Sequence, residues 1–325
     1  MTTFSMSADA QREFQIERLA SCPLCGSSDA RRFASSSDRL MGLSAPVFRY
    51  TQCGVCEGIY QSERPTEATI AAFYTQSYGP YVARKKPPKI LDLPHKIAMK
   101  AAHWITGQDA VAAEIASIHG KRLESGGVIL DFGCGYGALL DKYRKRFGCE
   151  TIGADFNADV LAGVAARGHR AVQASDVDTV IPRASVDLVV MNHVLEHLYA
   201  PADTLRALKR AMQPGAVIDI ATPNPAGLSS KTFGAHWFGL DAPRHIILFA
   251  PSVAAELLRT CGFHDVRVIG KPVTKDYLRS SQRAGAAPAH TMMARDGFRA
   301  LGVAARVRDA AKAGDFDQYH IIARA

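Results

Sequence analysis

No stretch of about 18 or more uncharged apolar residues occurs in the 325-residue chain, which excludes a membrane-spanning helix from the reading. The N-terminus, MTTFSMSADAQREF, lacks the apolar core of a secretory signal, so the expected location is cytoplasmic. Internal repeats and long low-complexity tracts are also missing, which sets aside solenoids and disordered tails. There is no acidic excess either: the net charge is +8. What remains is an ordinary globular composition, 47% apolar and 22% charged, at a length that suggests two domains with a sizeable core.

Cysteine is sparse, at seven, but four of the seven are patterned. The runs 22-CPLCG-26 and 53-CGVC-56 give Cys-x2-Cys, 27 intervening residues and Cys-x2-Cys again. Each pair can bite one Zn²⁺, and Cys22, Cys25, Cys53 and Cys56 together complete a tetrahedral site. Gly26 and Gly54 suit the tight turns of such knuckles, and 47-VFRYTQ-52 reads as a strand feeding the second. Disulfides do not suit a reducing compartment, and redox Cys-x-x-Cys pairs usually come singly beside a βαβ unit. Four thiolates leave no open position, so the expected metal is structural. Cys134, Cys149 and Cys261 lie apart and read as small core residues.

The positive charge is uneven. Residues 266–312 hold ten Lys/Arg against three acids, a net +7, and 84-RKKPPK-89 adds a short basic run inside a Pro-rich linker. Such regions attract phosphates, nucleic acid or acidic lipid, although a solvated helical face is the blander reading. Helical periodicity runs over residues 94–119 (Ile97, Ala101, Trp104, Ile105, then Val111, Ile115 and Ile118).

Next comes 128-VILDFGCGYGALL-140, a buried strand, a glycine loop and a helix start. Gly133, Gly135 and Gly137 let the backbone approach a ligand at a helix N-terminus. The spacing alone also fits a dinucleotide fingerprint. Asp131 at the loop mouth repels a pyrophosphate but suits S-adenosylmethionine, which carries a sulfonium and an amino group. A second strand, 150-ETIGADF-156, ends in Asp155, where an acid can bind both ribose hydroxyls. A third, 169-HRAVQASD-176, is followed at once by Asp176. The segments 186-VDLVVM-191 and 216-AVIDIA-221 read as a fourth and fifth, separated by a helix. This alternation predicts an α/β doubly wound sheet with ligands at the strand C-termini.

Taken together, Asp131-x-Gly133-x-Gly135-x-Gly137, Asp155, Asp176, 186-VDLVVMNHVLEHL-198, 214-PG-215 and 222-TPN-224 resemble class I S-adenosylmethionine-dependent methyltransferases over roughly residues 90–325. The resemblance implies a seven-stranded Rossmann-like sheet, with 263-FHDVRVIG-270 and 316-FDQYHIIA-323 as the sixth and antiparallel seventh strands. It places Asp131, Gly133, Gly135 and Gly137 around the methionine part and Asp155 with Phe156 on the ribose. Asp176 with Val177 falls near the adenine, and Asn192 with His193 at the fourth-strand tip. A four-cysteine ribbon before such a core is similar to that of methyltransferases of sugar, polysaccharide and natural-product pathways.

The stretch 193-HVLEH-197 has the His-x-x-Glu-His spacing of an inverted zinc peptidase, but it follows a cofactor-fold strand and lacks a long metal-binding helix. Three readings stay open: Glu196 and His197 cap and pack the helix start, His193 touches acceptor or cofactor, or His193, Glu196 and His197 hold a divalent ion. Ubiquinone-pathway O-methyltransferases have a similar Glu-x-x-Glu-His here and use such an ion. In 236-HWFGLDAPRHIILFAP-251, Trp237 could pack on an acceptor ring or seal a loop. Asp241, Arg244 and His245 form a polar cluster beside it, in which Asp241 and Arg244 could equally be an ordinary loop-fixing ion pair.

The expected catalytic residues are His245, then His193, with Asp241. The expected acceptor-binding residues are Trp237, Arg244, Tyr277 and Arg279. The expected organisation is an N-terminal helix and zinc ribbon (1–80), a linker with helices covering the cofactor site (81–125), and a methyltransferase domain (126–325) with acceptor-site insertions at 222–250 and 271–314. The expected activity is methyl transfer, preferably to oxygen, on a small or carrier-linked anionic acceptor. An RNA methyltransferase and a non-catalytic S-adenosylmethionine-binding module are the rivals.

Overall fold

The computed structural model describes residues 2–5, 13–40, 42, 46–74, 93–124, 126–285 and 292–325. The basic linker run 84–89 lies outside the described residues.

The N-terminal lobe is built from strands. β1 (Thr2–Ser5) and β2 (Glu13–Arg18) precede the ribbon strands β3 (Ala30–Ser36), β4 (Phe48–Cys53), β5 (Ile59–Gln61) and β6 (Glu63–Pro65). Within the lobe expected to hold a helix and the ribbon, residues 2–5 and 13–18 are extended, β2 pairs with β1 on one side and β6 on the other, and a short 3-10 helix spans Ile70–Phe73. Helices α1 (Leu93–Thr106) and α2 (Gln108–Leu123) follow, divided at Gly107, whose φ of +76° breaks the helical path.

The larger unit alternates strand and helix. It runs through β7 (Val128–Phe132), α3 (Ala138–Phe147), β8 (Glu150–Asp155), α4 (Ala158–Ala166), β9 (Arg170–Gln173), α5 (Val177–Val180), β10 (Val186–Asn192) and α6 (Pro201–Ala211). It continues with β11 (Met212–Pro223), α7 (Leu228–Phe233), β12 (Ile247–Leu248), α8 (Pro251–Thr260), β13 (His264–Lys271), α9 (Thr274–Arg283), α10 (Met292–Lys312) and β14 (Gln318–Arg324). Local chemistry sets the boundaries. Asn157 caps α4 by accepting from the amides of Asp159 and Val160, and Pro201 starts α6, where its missing N–H costs nothing.

The seven-stranded sheet has the order β13-β14-β11-β10-β7-β8-β9, parallel except for β14, which is antiparallel to both neighbours. β10 is buried apart from half-buried Asp187 and exposed Asn192 at its tip, as a central strand covered on both faces must be. From β7 the chain winds first toward β9 and then back to β10. The crevice between the C-terminal ends of β7 and β10 is thus a topological switch point, where ligands bind.

The two lobes share a sheet and a core. β12 pairs antiparallel with β5, with Ile247 opposite Tyr60, giving the order β12-β5-β4-β3. Trp237, Leu240, Ala242 and Leu248 from the second lobe pack with Phe14, Phe48, Tyr50 and Phe73 from the first. Cys134, Cys149 and Cys261 are buried, as expected of small core residues.

Candidate active site

The cofactor half sits where β7 meets α3. Gly133, Gly135 and Gly137 all have positive φ, and a Cβ on Gly133 would lie 2.3 Å from a Val194 methyl. The loop therefore needs glycine for both conformation and space. The Gly135 amide donates to Asp155 at 2.9 Å, which ties the loop to the tip of β8. Asp131 and Asp155 are each only 4% exposed. Neither has an ion-pair partner among the described residues. Burial, and then the charge of Asp155, pushes Asp131 up to about 7. Two buried acids without a cation suit a cationic ligand and oppose a pyrophosphate. Phe156 is 53% exposed beside them, Asp176 and Asn192 are also exposed, and Val177 is buried. The residues present fit S-adenosylmethionine.

Beyond the tip of β10 lies a dense polar cluster. His193 adopts φ +55°, unusual for a residue with a side chain, and its amide is anchored on the Ala221 carbonyl. Its imidazole, 38% exposed, puts Nδ1 3.2 Å from Glu196 Oε1. Glu196 is fully buried and accepts from Thr222 Oγ1 at 3.0 Å. Burial opposes its charge, but the His193 bond and the surrounding imidazoles prevail and hold it down at about 2. An ionised carboxylate accepts only, so His193 Nδ1 carries the proton and its Nε2 is left free. Burial works against protonation of His193, and Glu196 outweighs it, raising this imidazole above its ordinary value.

His245 and His197 complete the cluster, their rings 4.7 Å apart. His245 Nδ1 lies 2.8 Å from the Gly239 carbonyl and His197 Nδ1 lies 2.8 Å from that of Arg244, so both direct Nε2 away from the backbone. His245 Nε2 is 3.9 Å from Glu196 and 4.0 Å from Asp241. Burial, then the charge of His245, lowers His197 to about 4. Tyr74 places its hydroxyl 2.9 Å from His197 Nδ1. Ligand atoms of Glu196, His197 and His245 lie within 4.8 Å of one another. That group differs from the expected set of His193, Glu196 and His197, because His193 stands behind Glu196 as a hydrogen-bond donor.

Several expected acceptor residues have other tasks. Arg244 is fully buried. It pairs with Asp38 at 2.8 Å and Asp241 at 2.9 Å and donates to the Phe73 carbonyl. Asp241 gives both oxygens to Arg244. Expecting Arg244 to bind acceptor and Asp241 to act in catalysis is therefore corrected to a buried clamp between the lobes. Trp237 is 1% exposed and seals the shared core, without a face for an acceptor. The Tyr277 hydroxyl accepts from Arg306, and its ring packs edge-on to Phe233. Arg279 and Arg283 both lie over one ring, Phe238, at 4.6 and 4.5 Å. Missed from sequence were Tyr74, Asp38, and the buried Asp276, whose carboxylate accepts from Gln318 at 2.6 Å. Buried acids in an acceptor segment were the one available signal, and Asp276 was visible only as a minority charge in a basic run.

The four ribbon cysteines pass a geometric test for zinc. Their sulfurs lie within 4.8 Å of one another, with Cys22–Cys56 at 3.6 Å and Cys25–Cys53 at 3.5 Å. A tetrahedral zinc with bonds of about 2.3 Å separates its sulfurs by about 3.8 Å. The amides of Val55 and Cys56 point at Cys53 Sγ, as they do around bound thiolates.

A family model described as a methyltransferase domain matches residues 103–268, 166 of the 325 residues, and the chain belongs to that family. The chain is 32% identical over 150 residues to a "Probable S-adenosylmethionine-dependent methyltransferase" of Mycolicibacterium smegmatis; the match covers 44% of this chain and 54% of the relative. The chain thus spans about half the length of that protein. It is 28% identical over 201 residues to a ubiquinone biosynthesis O-methyltransferase of Pseudomonas aeruginosa, covering 56% of this chain and 80% of the relative. A solved methyltransferase from Archaeoglobus fulgidus aligns at TM-score 0.45 and 22% identity, over 67% of this chain and 94% of that one. Among the described residues no helix is long and apolar enough to cross a membrane.

Proposed function

We propose that the methyl group goes to an oxygen of a small, anionic, hydroxyl-bearing acceptor, with His193 as the base. The observation that carries this reading is the His193–Glu196 pair at the switch-point crevice: an imidazole with Nδ1 on a buried carboxylate and Nε2 free. When bound, S-adenosylmethionine supplies a methyl group on an already activated sulfonium. The chain's own residues then supply alignment and take the acceptor proton. That proton moves from the acceptor hydroxyl to His193 Nε2 as the oxygen–methyl bond forms, and S-adenosylhomocysteine leaves. Asp131 and Asp155 hold the cationic and ribose ends, and Lys271 and Asp276, whose charges act on His193, are the polar groups offered to the acceptor.

The test uses methyl-labelled S-adenosylmethionine with a small-molecule extract and, separately, with total RNA. Label should enter the small-molecule fraction as an O-methyl group. His193→Gln should slow it by about a hundredfold or more, within the range of general-base catalysis, while S-adenosylmethionine affinity stays within about twofold. Label entering RNA instead, or full turnover by His193→Gln, sinks the reading.

A second reading is favoured by Glu196, His197 and His245. Two imidazoles and a carboxylate, each imidazole fixed by a backbone carbonyl, form a donor set that fits a divalent ion. Such an ion would orient neighbouring acceptor oxygens. Stimulation of turnover by Mg²⁺ or Mn²⁺, lost in His245→Gln, would select it over the metal-free version.

A further inference from the structure

Tyr50 and Gln61 stand opposite each other on the β4–β5 hairpin, and both are fully buried. The turn of that hairpin is the Cys53–Cys56 knuckle. Their polar ends leave the ribbon and enter the second lobe. Tyr50 donates its hydroxyl proton to the Leu240 carbonyl at 2.5 Å and also lies 2.9 Å from that of His245. Gln61 Nε2 donates to the carbonyls of Pro243 at 3.0 Å and His245 at 2.8 Å, and lies 3.0 Å from the Tyr50 oxygen. Both of those carbonyls only accept, so the amide must present its nitrogen here, and its oxygen is left buried without a partner. Three hydrogens, two from Gln61 and one from Tyr50, thus serve three carbonyls.

Those carbonyls belong to the turn that carries Asp241, Arg244 and His245. Asp241 adopts φ +28°, outside the conformations open to most side-chain-bearing residues. A buried carbonyl left without a partner loses its hydration with nothing in return, so the turn depends on outside donors. The ribbon provides them. On its other side the same turn faces the polar cluster: the Ile246 amide donates to the Glu196 carbonyl at 2.9 Å, and His245 Nε2 lies 3.9 Å from the Glu196 carboxylate. Glu196 in turn holds His193.

We propose that Tyr50 and Gln61 are positioning residues for methyl transfer, which fix the Leu240–His245 turn so that His245 faces Glu196 beneath His193. The ribbon is then half of the acceptor site's framework rather than a separate binding module. The inference rests on the reading of His193 and Glu196 as the acceptor-activating pair.

The test uses the full chain, zinc-loaded and labelled with ¹⁵N-histidine, as wild type, Tyr50→Phe and Gln61→Met. His245 resonances are assigned by their loss in His245→Gln. Wild-type His245 should show the single Nδ1–H tautomer that the Gly239 carbonyl selects. Gln61→Met should shift these signals toward a mixture of tautomers, and Tyr50→Phe, which keeps the ring in the core, should do so more weakly. His119 and His320, buried against Asp219, should not move. Zinc content should stay at one per chain and S-adenosylmethionine affinity within twofold, while methyl transfer to the small-molecule fraction falls about tenfold. Folded, zinc-loaded variants with wild-type His245 signals would overturn the proposal, even if their melting temperature falls. Should His193→Gln keep full turnover while the His245 signals still shift, the base assignment fails and the positioning stands.

Discussion

Arg244 and Asp131 show how the surroundings of one side chain decide its task. Arg244 is a buried cation between two buried anions, Asp38 and Asp241. Removing it strands both carboxylates in a low-dielectric core, so Arg244→Met should cost about 3–5 kcal/mol. Urea unfolding should show that loss as a lower midpoint, whereas an acceptor-binding arginine would give a raised KM at unchanged stability. Asp131 is pushed up to about 7, first by burial and then by Asp155. The folded value exceeds the unfolded one, so the ligand-free protein loses stability as pH climbs from about 4 toward 7 and the buried acid is forced to ionise. A cationic ligand favours the ionised acid and releases its proton. Affinity for S-adenosylmethionine should therefore rise between pH 6 and 8, by at most about tenfold per pH unit, and level off above. Titration calorimetry should find that dependence flattened in Asp131→Asn; an unchanged slope would remove Asp131 from the cofactor site.

Among the elements, the ribbon and the β12 segment behave as one body. The hairpin reaches the turn through both of its strands: β4 by the Tyr50 hydroxyl, and β5 by the pairing of Ile59 and Tyr60 with β12, the bond from the Gln61 amide to the Ile246 carbonyl, and the Gln61 side chain. A zinc ion held by the four cysteines would close the hairpin that sets this register. Stripping zinc with a chelator should therefore speed hydrogen exchange not only across residues 22–61 but also at 240–248, while β7 and β8 stay protected. Exchange confined to the ribbon would show that the lobes fold independently. The glycine loop, the strand-end acids and the helix caps were legible in sequence because each is written in neighbouring residues. The β12 pairing was not, since two residues carry no periodicity and their partners lie far away in the chain. Of the Arg244 clamp, the Asp241 pair was legible at a spacing of three residues, but the other partner, Asp38, is 206 positions distant. Nor was β2 legible, since one of its partners, β6, lies beyond the ribbon.

At the scale of the whole molecule, the question is what the positive charge is for. The net +7 of residues 266–312 reads as a phosphate-binding region in sequence, but the fold disperses it. Arg267 reaches across to Glu114, Arg308 pairs with Asp309, and Arg306 is held on Tyr277. Arg279 and Arg283 converge on Phe238, and Lys271, at the end of β13, has its ammonium lowered by burial. Polymer binding would need a continuous cationic groove with aromatic faces for the bases. Here the cationic groups are mostly engaged one at a time, and the ribbon, the natural second half of an RNA site, turns Tyr50 and Gln61 inward to the acceptor turn. The two guanidiniums that meet on Phe238 suit a single phosphate or carboxylate group. Inorganic pyrophosphate should therefore compete with methyl acceptance, with an inhibition constant that weakens only modestly as salt rises. Single-stranded RNA should bind weakly, with a log-affinity against log-salt slope no steeper than about −2, where a protein neutralising six or more phosphates gives about −4 or beyond. A steep RNA slope together with indifference to pyrophosphate would reverse the assignment and make the basic face a nucleic-acid surface.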